Sequence, residues 1–277
     1  MPKLACAITP RLWHKLDTQA KASREPIPDI VSRALSRYFD TADYTVYQIS
    51  TSTALVEGVY EGAAPIASLR DYGDLGLGTF EELDGEMVIL DRKFYQVRCD
   101  SSVREVADDV LTPFAVITRL VPDATVIVDD CPDLMDLTSY CDTLRRSENE
   151  LYVLRVTGCF DHVRTRAVCR TEAGVRLVHA AAVQPEFDFH KVSGTMVGFW
   201  TPEYARSLNV PGYHLHFLSD DRSSGGHLLE CSGSKLQVEI QRKSHYQIRL
   251  PETESFLEAD LRRDPAADLA RAEGGRK

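Results

Sequence analysis

The chain has 277 residues, 43% of them hydrophobic and 27% charged, with a formal net charge of −10 at neutral pH. That is the composition of an ordinary soluble globular protein, long enough for two packed layers or two subdomains. It excludes a disordered chain, and it argues against tight nonspecific binding of the whole protein to nucleic acid or an anionic membrane.

The first forty-odd residues read differently from the rest. Leu4 to Ile8 has the pattern of a short strand, and Thr9-Pro10 supplies an N-cap followed by a proline at the first helical position. Leu12, Trp13, Leu16 and Ala20 then fall at helical spacing. A polar turn through Ser23 and Pro26 leads to a second helical pattern with Ile30, Ala34, Leu35 and Tyr38. This strand-helix-helix order over residues 1–42 resembles the ribbon-helix-helix module, in which two chains pair strands and read DNA with the outward side chains. Alternate positions of this ribbon offer Lys3, Ala5 and Ala7, a poor set of base-reading groups. A dimerisation or tetramerisation arm is therefore expected ahead of DNA binding, with a plain helical hairpin as the remaining reading.

From Tyr44 onward strands dominate. Residues 45–49 alternate, and residues 87–90 and 93–97 read as a hairpin around Asp91-Arg92. Residues 114–117, 125–128 and 151–156 continue the pattern, as do stretches near 160–170, 194–200, 212–218, 227–231 and 235–241. Helices are expected at 61–70, 102–108 and 132–146. The expected fold class is α+β, with two sheet-rich subdomains, 43–160 and 161–260, and a polar tail, 261–277.

The cysteines Cys6, Cys99, Cys131, Cys141, Cys159, Cys169 and Cys231 stand singly, without a CxxC pair, so neither a disulfide framework nor a thiolate zinc site is favoured. No secretory pattern opens the chain, and no apolar run reaches membrane-spanning length; a cytoplasmic, membrane-free setting is the expectation. The strongest local signal is Gly212-Tyr213-His214-Leu215-His216-Phe217, then a Ser/Asp/Gly turn over 219–226, then His227. On a strand, residues two apart share a face, so His214 and His216 point together, and His227 on the returning strand completes three imidazoles. Three histidines with open positions describe a catalytic metal site, zinc first. On spacing alone a cupin-like oxygenase using iron and dioxygen competes, but cupins place a glutamate shortly after HxH and Phe217-Leu218-Ser219-Asp220 supplies none. His14, His162, His179, His190 and His245 are read as ordinary structural or surface residues.

Longer blocks carry a resemblance. The run from Gly78-Thr79-Phe80 through Leu83-Asp84-Gly85-Glu86 to Met87 is similar to a motif of the α-acetolactate decarboxylase family. So are Thr112-Pro113-Phe114-Ala115, Gln184-Pro185-Glu186-Phe187, the stretch from Gly194 to Tyr204 and, most specifically, the stretch from Val210 to His227. The resemblance runs in order from about Tyr44 to the C-terminus and leaves residues 1–42 outside. It implies zinc-dependent decarboxylation of 2-acetolactate to acetoin and CO2. It implies that His214, His216 and His227 hold zinc and that Glu86 sits at the metal. Arg166 faces the substrate, with Arg164 as fallback. The metal site then lies in the cleft between the two subdomains, and the tail, 261–277, folds back to it with a glutamate, best matched by Glu273 and less well by Glu254, while Thr79 lines the pocket. Family members suggest a homodimer, which the arm would enlarge. One departure is Asp91-Arg92 in place of Asp-Gly: Arg92 would strain a turn needing positive φ, so a changed hairpin is expected there.

The chemistry fits these groups. Losing CO2 from this β-keto acid leaves an enediolate whose charge a Lewis-acidic zinc stabilises. Arg166 offers a permanent cation with a planar donor fork. Glu86 or Glu273 is expected to protonate the carbon stereoselectively, a role that calls for a raised pKa. The rival from another class is a metabolite-sensing DNA-binding regulator built on a decarboxylase-like domain.

Overall fold

The computed structural model describes residues 5–23, 26–38 and 44–273. The chain divides into two compact units, residues 1–43 and 44–277. In the first, α1 (Pro10–Ser23) and α2 (Ile27–Tyr38) pack as a helical pair. Thr9 caps α1 as its sequence implies: its hydroxyl accepts a bond from the Leu12 amide at 3.3 Å. The expected strand is not formed. Residues 5–9 carry no ladder among the described residues, and a ribbon strand needs a second strand to pair with; Lys3 and Leu4 lie outside the described residues.

The second unit opens with β1 (Thr45–Ile49), α3 (Ser52–Val56) and β2 (Ala64–Pro65). The helix expected at 61–70 reduces to a single 3-10 turn at Ile66–Ser68, since Pro65 lacks the amide that a continuing helix needs. Then come β3 (Leu75–Thr79), β4 (Glu86–Leu90), β5 (Lys93–Val97) and β6 (Val103–Glu105), the last a strand where a helix over 102–108 was expected. There the ladder to β5 outweighs local preference. The chain continues through β7 (Leu111–Thr112), β8 (Phe114–Thr118), β9 (Ala124–Cys131) and α4 (Leu134–Leu144), a helix where one was expected. It goes on through β10 (Leu151–Arg166), α5 (Leu177–Ala182), β11 (Glu186–Thr201), β12 (Gly212–Ser219) and β13 (Gly225–Lys243). It ends with β14 (His245–Arg249), α6 (Glu254–Glu258) and α7 (Ala266–Glu273). Among the described residues no helix is long and apolar enough to cross a membrane.

The architecture is mixed α+β and rich in sheet. One sheet has seven strands in the order β14-β1-β8-β3-β4-β5-β6, antiparallel except where β14 runs parallel to β1. A second has the order β10-β11-β12-β13-β9, and β13 also pairs with β10, so this sheet curls into a ring; β2 and β7 form a small third sheet. β10 spans residues 151–166 with Asp161 left out of its ladder to β11, and β14 returns to the first sheet. The hairpin at Asp91-Arg92 keeps its two-residue form: both residues take positive φ, 52° and 66°, and Leu90 still pairs with Lys93. Arg92 bears the left-handed conformation without a glycine.

Period-two alternation splits each strand between layers. On β4, Met87 and Ile89 enter the core on the far side of the first sheet, while Val88 and Leu90 face the second sheet beside Val197, Phe199 and Leu218. Glu86 belongs to that inward set. In the ring, Leu154, Val156 and Phe160 of β10 fill the inner core from even positions, but Val163 fills it from an odd one. Trp200, Met196 and Val192 of β11 give way to Phe189 in the same manner. The switch occurs where Asp161 and Lys191 drop out of an otherwise continuous ladder and Lys191 takes φ 51°. Without it Arg166 would point into the ring; with it Arg166 points out. Lys191→Val is therefore expected to lower stability by roughly 1–2 kcal/mol while Lys191→Gly is tolerated, read by urea denaturation of the two variants.

Candidate active site

β12 presents Leu215 and Phe217 to the ring core, where Phe217 meets Phe160 edge-on at 5.7 Å between centroids. The opposite face therefore carries His214 and His216. The turn after β12 is built by Asp221, whose carboxylate accepts from the Ser223 amide at 3.0 Å and the Ser219 hydroxyl at 2.6 Å. It returns the chain so that His227 lies directly across from His216, and Arg166 of β10 lies directly across from His227. One cross-strand row on one face thus reads Arg166, His227, His216. Gly226 allows the close approach: a Cβ there would fall 2.5 Å from the Arg166 carbonyl oxygen.

The three imidazoles each offer a ring nitrogen, and these atoms lie within 4.8 Å of one another. His216 Nδ1 sits 2.8 Å from the Met87 carbonyl oxygen. A carbonyl only accepts, so Nδ1 carries the hydrogen and Nε2 keeps its lone pair, which is buried with no hydrogen-bond partner among the described residues. Burial pushes the His214 pKa down to about 3 and those of His216 and His227 well below the usual histidine value, with the Arg166 charge adding to it. Three neutral imidazoles, one of them an orphaned buried acceptor with its outer nitrogen fixed by a carbonyl, match what a metal ion requires of its ligands.

The Leu83-Asp84-Gly85-Glu86 motif has a local reason for each residue. Leu83 is buried in the pocket wall. The Asp84 carboxylate grips Gln96 Nε2 and Arg98 Nη2, each at 3.0 Å. Gly85 takes φ 91° in a place where a Cβ would meet the Val97 carbonyl oxygen at 2.3 Å. Thr79 donates its hydroxyl to the Gly85 carbonyl at 2.8 Å, so its place on the pocket lining comes with a structural duty. These contacts set the Glu86 carboxyl 3.6 Å from His216 Nε2, with its other oxygen accepting from the Val168 amide at 3.3 Å. Burial raises the Glu86 pKa to about 7, against the pull of Arg166.

Glu273 arrives from the last turn of α7, with one carboxyl oxygen 3.3 Å from His227 Nε2, 3.9 Å from His214 Nε2 and 3.2 Å from Arg166 Nη2. Burial raises this carboxyl too, again opposed by Arg166. Arg166 also donates through Nη1 to the Ala272 carbonyl. All seven residues singled out by sequence — Thr79, Glu86, Arg166, His214, His216, His227 and Glu273 — line one pocket. Arg164 is not on that lining, and Glu254 is exposed in the first turn of α6. Sequence reasoning missed the apolar wall: Leu55 of α3, Leu177 and Ala181 of α5, Val210, and Leu269 of α7. Its signals were the Thr51 cap before α3 and the apolar spacing of Leu177 and Ala181, both on helices too short to stand out.

The family model for alpha-acetolactate decarboxylase matches residues 46–263. An alpha-acetolactate decarboxylase from Methanosarcina mazei is 38% identical over 89% of this chain and 83% of its own length. One from Methylococcus capsulatus is 40% identical over 83% of this chain and 89% of its own. The crystal structure of the alpha-acetolactate decarboxylase from Bacillus subtilis strain 168 superposes with a TM-score of 0.81 at 38% identity, covering 83% of this chain and all of that one. With the fold and the convergent pocket, these likenesses place the chain in the alpha-acetolactate decarboxylase family of enzymes.

Proposed function

We propose that the protein decarboxylates 2-acetolactate to acetoin and CO2, with a zinc ion held by His214, His216 and His227. The observation that carries this reading is the convergence on one pocket of three buried imidazoles, an arginine and two carboxyls whose pKa values burial raises. Three imidazoles with an open side suit zinc in a catalytic rather than a structural setting. When bound, the ion supplies Lewis acidity to the substrate's oxygen atoms.

The remaining work falls to the chain's own groups. Arg166 is a permanent cation whose Nε–H is buried and has no hydrogen-bond partner, and it orients the substrate carboxylate. As the bond to that carboxylate breaks, its electron pair moves onto the neighbouring carbonyl, and a proton has to return to carbon. Glu86, with its pKa raised to about 7, is protonated in part of the population at neutral pH and delivers that proton; Glu273 is the second carboxyl positioned for that step. The apolar wall of Leu55, Leu177, Val210 and Leu269 keeps water from competing as the donor, so one face of the carbon is protonated. We also take the protein to be a homo-oligomer, a reading supported by the exposed apolar side chains of Leu12, Trp13 and Tyr38 on the α1–α2 pair.

Acetoin formation from racemic 2-acetolactate tests the reaction. Zinc-loaded protein is expected to be active, chelator-stripped protein to lose activity and regain it with zinc, and His216→Ala to be inactive while folded. Inactivity of folded, zinc-loaded protein would refute the proposed reaction. Glu86→Gln and Glu273→Gln are each expected to lower kcat by roughly 10²–10⁴, with chiral chromatography reporting the configuration of acetoin. If neither variant changes turnover or configuration, the proton-donor assignment fails.

A further inference from the structure

The pocket wall and Glu273 both depend on α7, a helix of eight residues. A helix this short has little stability of its own, so its seat is set by what it touches. Leu269 and Ala272 bury against α5 and α3 in a small apolar cluster with Val56, Leu177 and Ala181. At its C-terminal end, Arg166 holds the Ala272 carbonyl and the Glu273 carboxylate. Near its N-terminal end, a different arginine does the holding. Arg176, the N-cap residue of α5, sets Nη2 at 2.6 Å from Asp268 Oδ2 in the first turn of α7 and at 2.9 Å from Glu57 Oε1, the C-cap residue of α3. One guanidinium thus joins the three helices that wall the pocket, and its two carboxylate partners are largely buried, with side chains 12% and 14% exposed. Arg271, one turn on, adds a second cation to Asp268.

We infer that Arg176 and Asp268 are positioning residues for catalysis: they latch α7 over the pocket and so hold Glu273 against His227 and Arg166. The inference rests on the role proposed above for Glu273. Neither residue lines the pocket or touches the histidines, so both act through the helix they seat. The latch lies at the periphery of the second unit, away from both sheet cores. Breaking it frees the helix without dismantling the sheets, and the effect falls on turnover more than on folding.

The test is a double-mutant cycle in the full-length zinc-loaded protein. Asp268→Asn is expected to lower kcat roughly 10- to 100-fold in an otherwise wild-type chain, the penalty for a catalytic group displaced by about an ångström. Placed on top of Glu273→Gln it is expected to have no further effect, because the group it positions is already gone. Arg176→Lys, which keeps the charge but not the two-way fork, should show a smaller loss with the same non-additivity, and Asp268→Glu should recover part of it. Where Glu273→Gln is itself impaired, equal losses in both backgrounds, or wild-type kcat for Asp268→Asn, would overturn the latch. Hydrogen exchange over residues 266–273 separates this from a failure of the Glu273 reading. Faster exchange in Asp268→Asn supports the latch even if Glu273→Gln proves fully active; unchanged exchange overturns it whatever Glu273 does.

Discussion

The hydrogen bond from the His216 ring to the Met87 carbonyl joins the two sheets at the place where the chemistry is set. It does two things at once. It anchors β12 to β4, and by claiming Nδ1 it leaves Nε2 as a lone pair aimed at the pocket. The rest of the centre follows from strand pairing. His227 sits across from His216, Arg166 across from His227, and Glu86 on the face of β4 that looks at them. Three buried imidazoles stay neutral in part because a permanent cation stands beside them, and that cation in turn tempers the carboxyls that burial raises. The charges of the site are thus mutually dependent, and removing Arg166 would disturb every other group in it.

Much of this centre was legible in the sequence, because short-range periodicity carries it. His214 and His216 share a face by the rule of two, and a Ser/Asp/Gly turn predicts that His227 returns beside them. The residues Leu83 to Glu86 form a compact motif whose glycine, aspartate and leucine each have a local duty. What the sequence concealed is set by long-range geometry. The reversal of faces at Asp161 and Lys191, which turns Arg166 outward, has no marker in the chain, since a lysine in a left-handed conformation looks like any other lysine. The strand at Val103–Glu105 exists because β5 is there to pair with it. α3 and α5 are one or two turns long, below what periodicity resolves. Conversely, the N-terminal strand was legible as a pattern, yet residues 5–8 carry no ladder among the described residues, since a ribbon strand needs a second strand to pair with.

The division of labour between the layers is also plain. The sheet carrying β4 supplies Thr79 and Glu86, the curled sheet supplies the histidines and Arg166, and the helical corner supplies the dry wall and Glu273. Each layer is stabilised by its own apolar cluster, so the polar centre is held by surroundings that do not depend on its charges. This matters because buried ionisable groups are costly to keep.

The parallel pairing of β1 with β14 has a consequence for how the protein comes into being. Val46 lies beside Tyr246 and Ile49 beside Arg249, so one edge of the first sheet is completed by residues about two hundred positions downstream. On a ribosome, β1 emerges about two hundred residues ahead of its partner and waits, with that edge open, until β14 follows. Such long-range closure is slow and leaves a strand edge exposed to neighbours meanwhile. Helix α7, with Glu273, comes later still. A nascent chain therefore holds all three histidines before it holds a finished pocket, and the pocket is complete only once α7 has joined them.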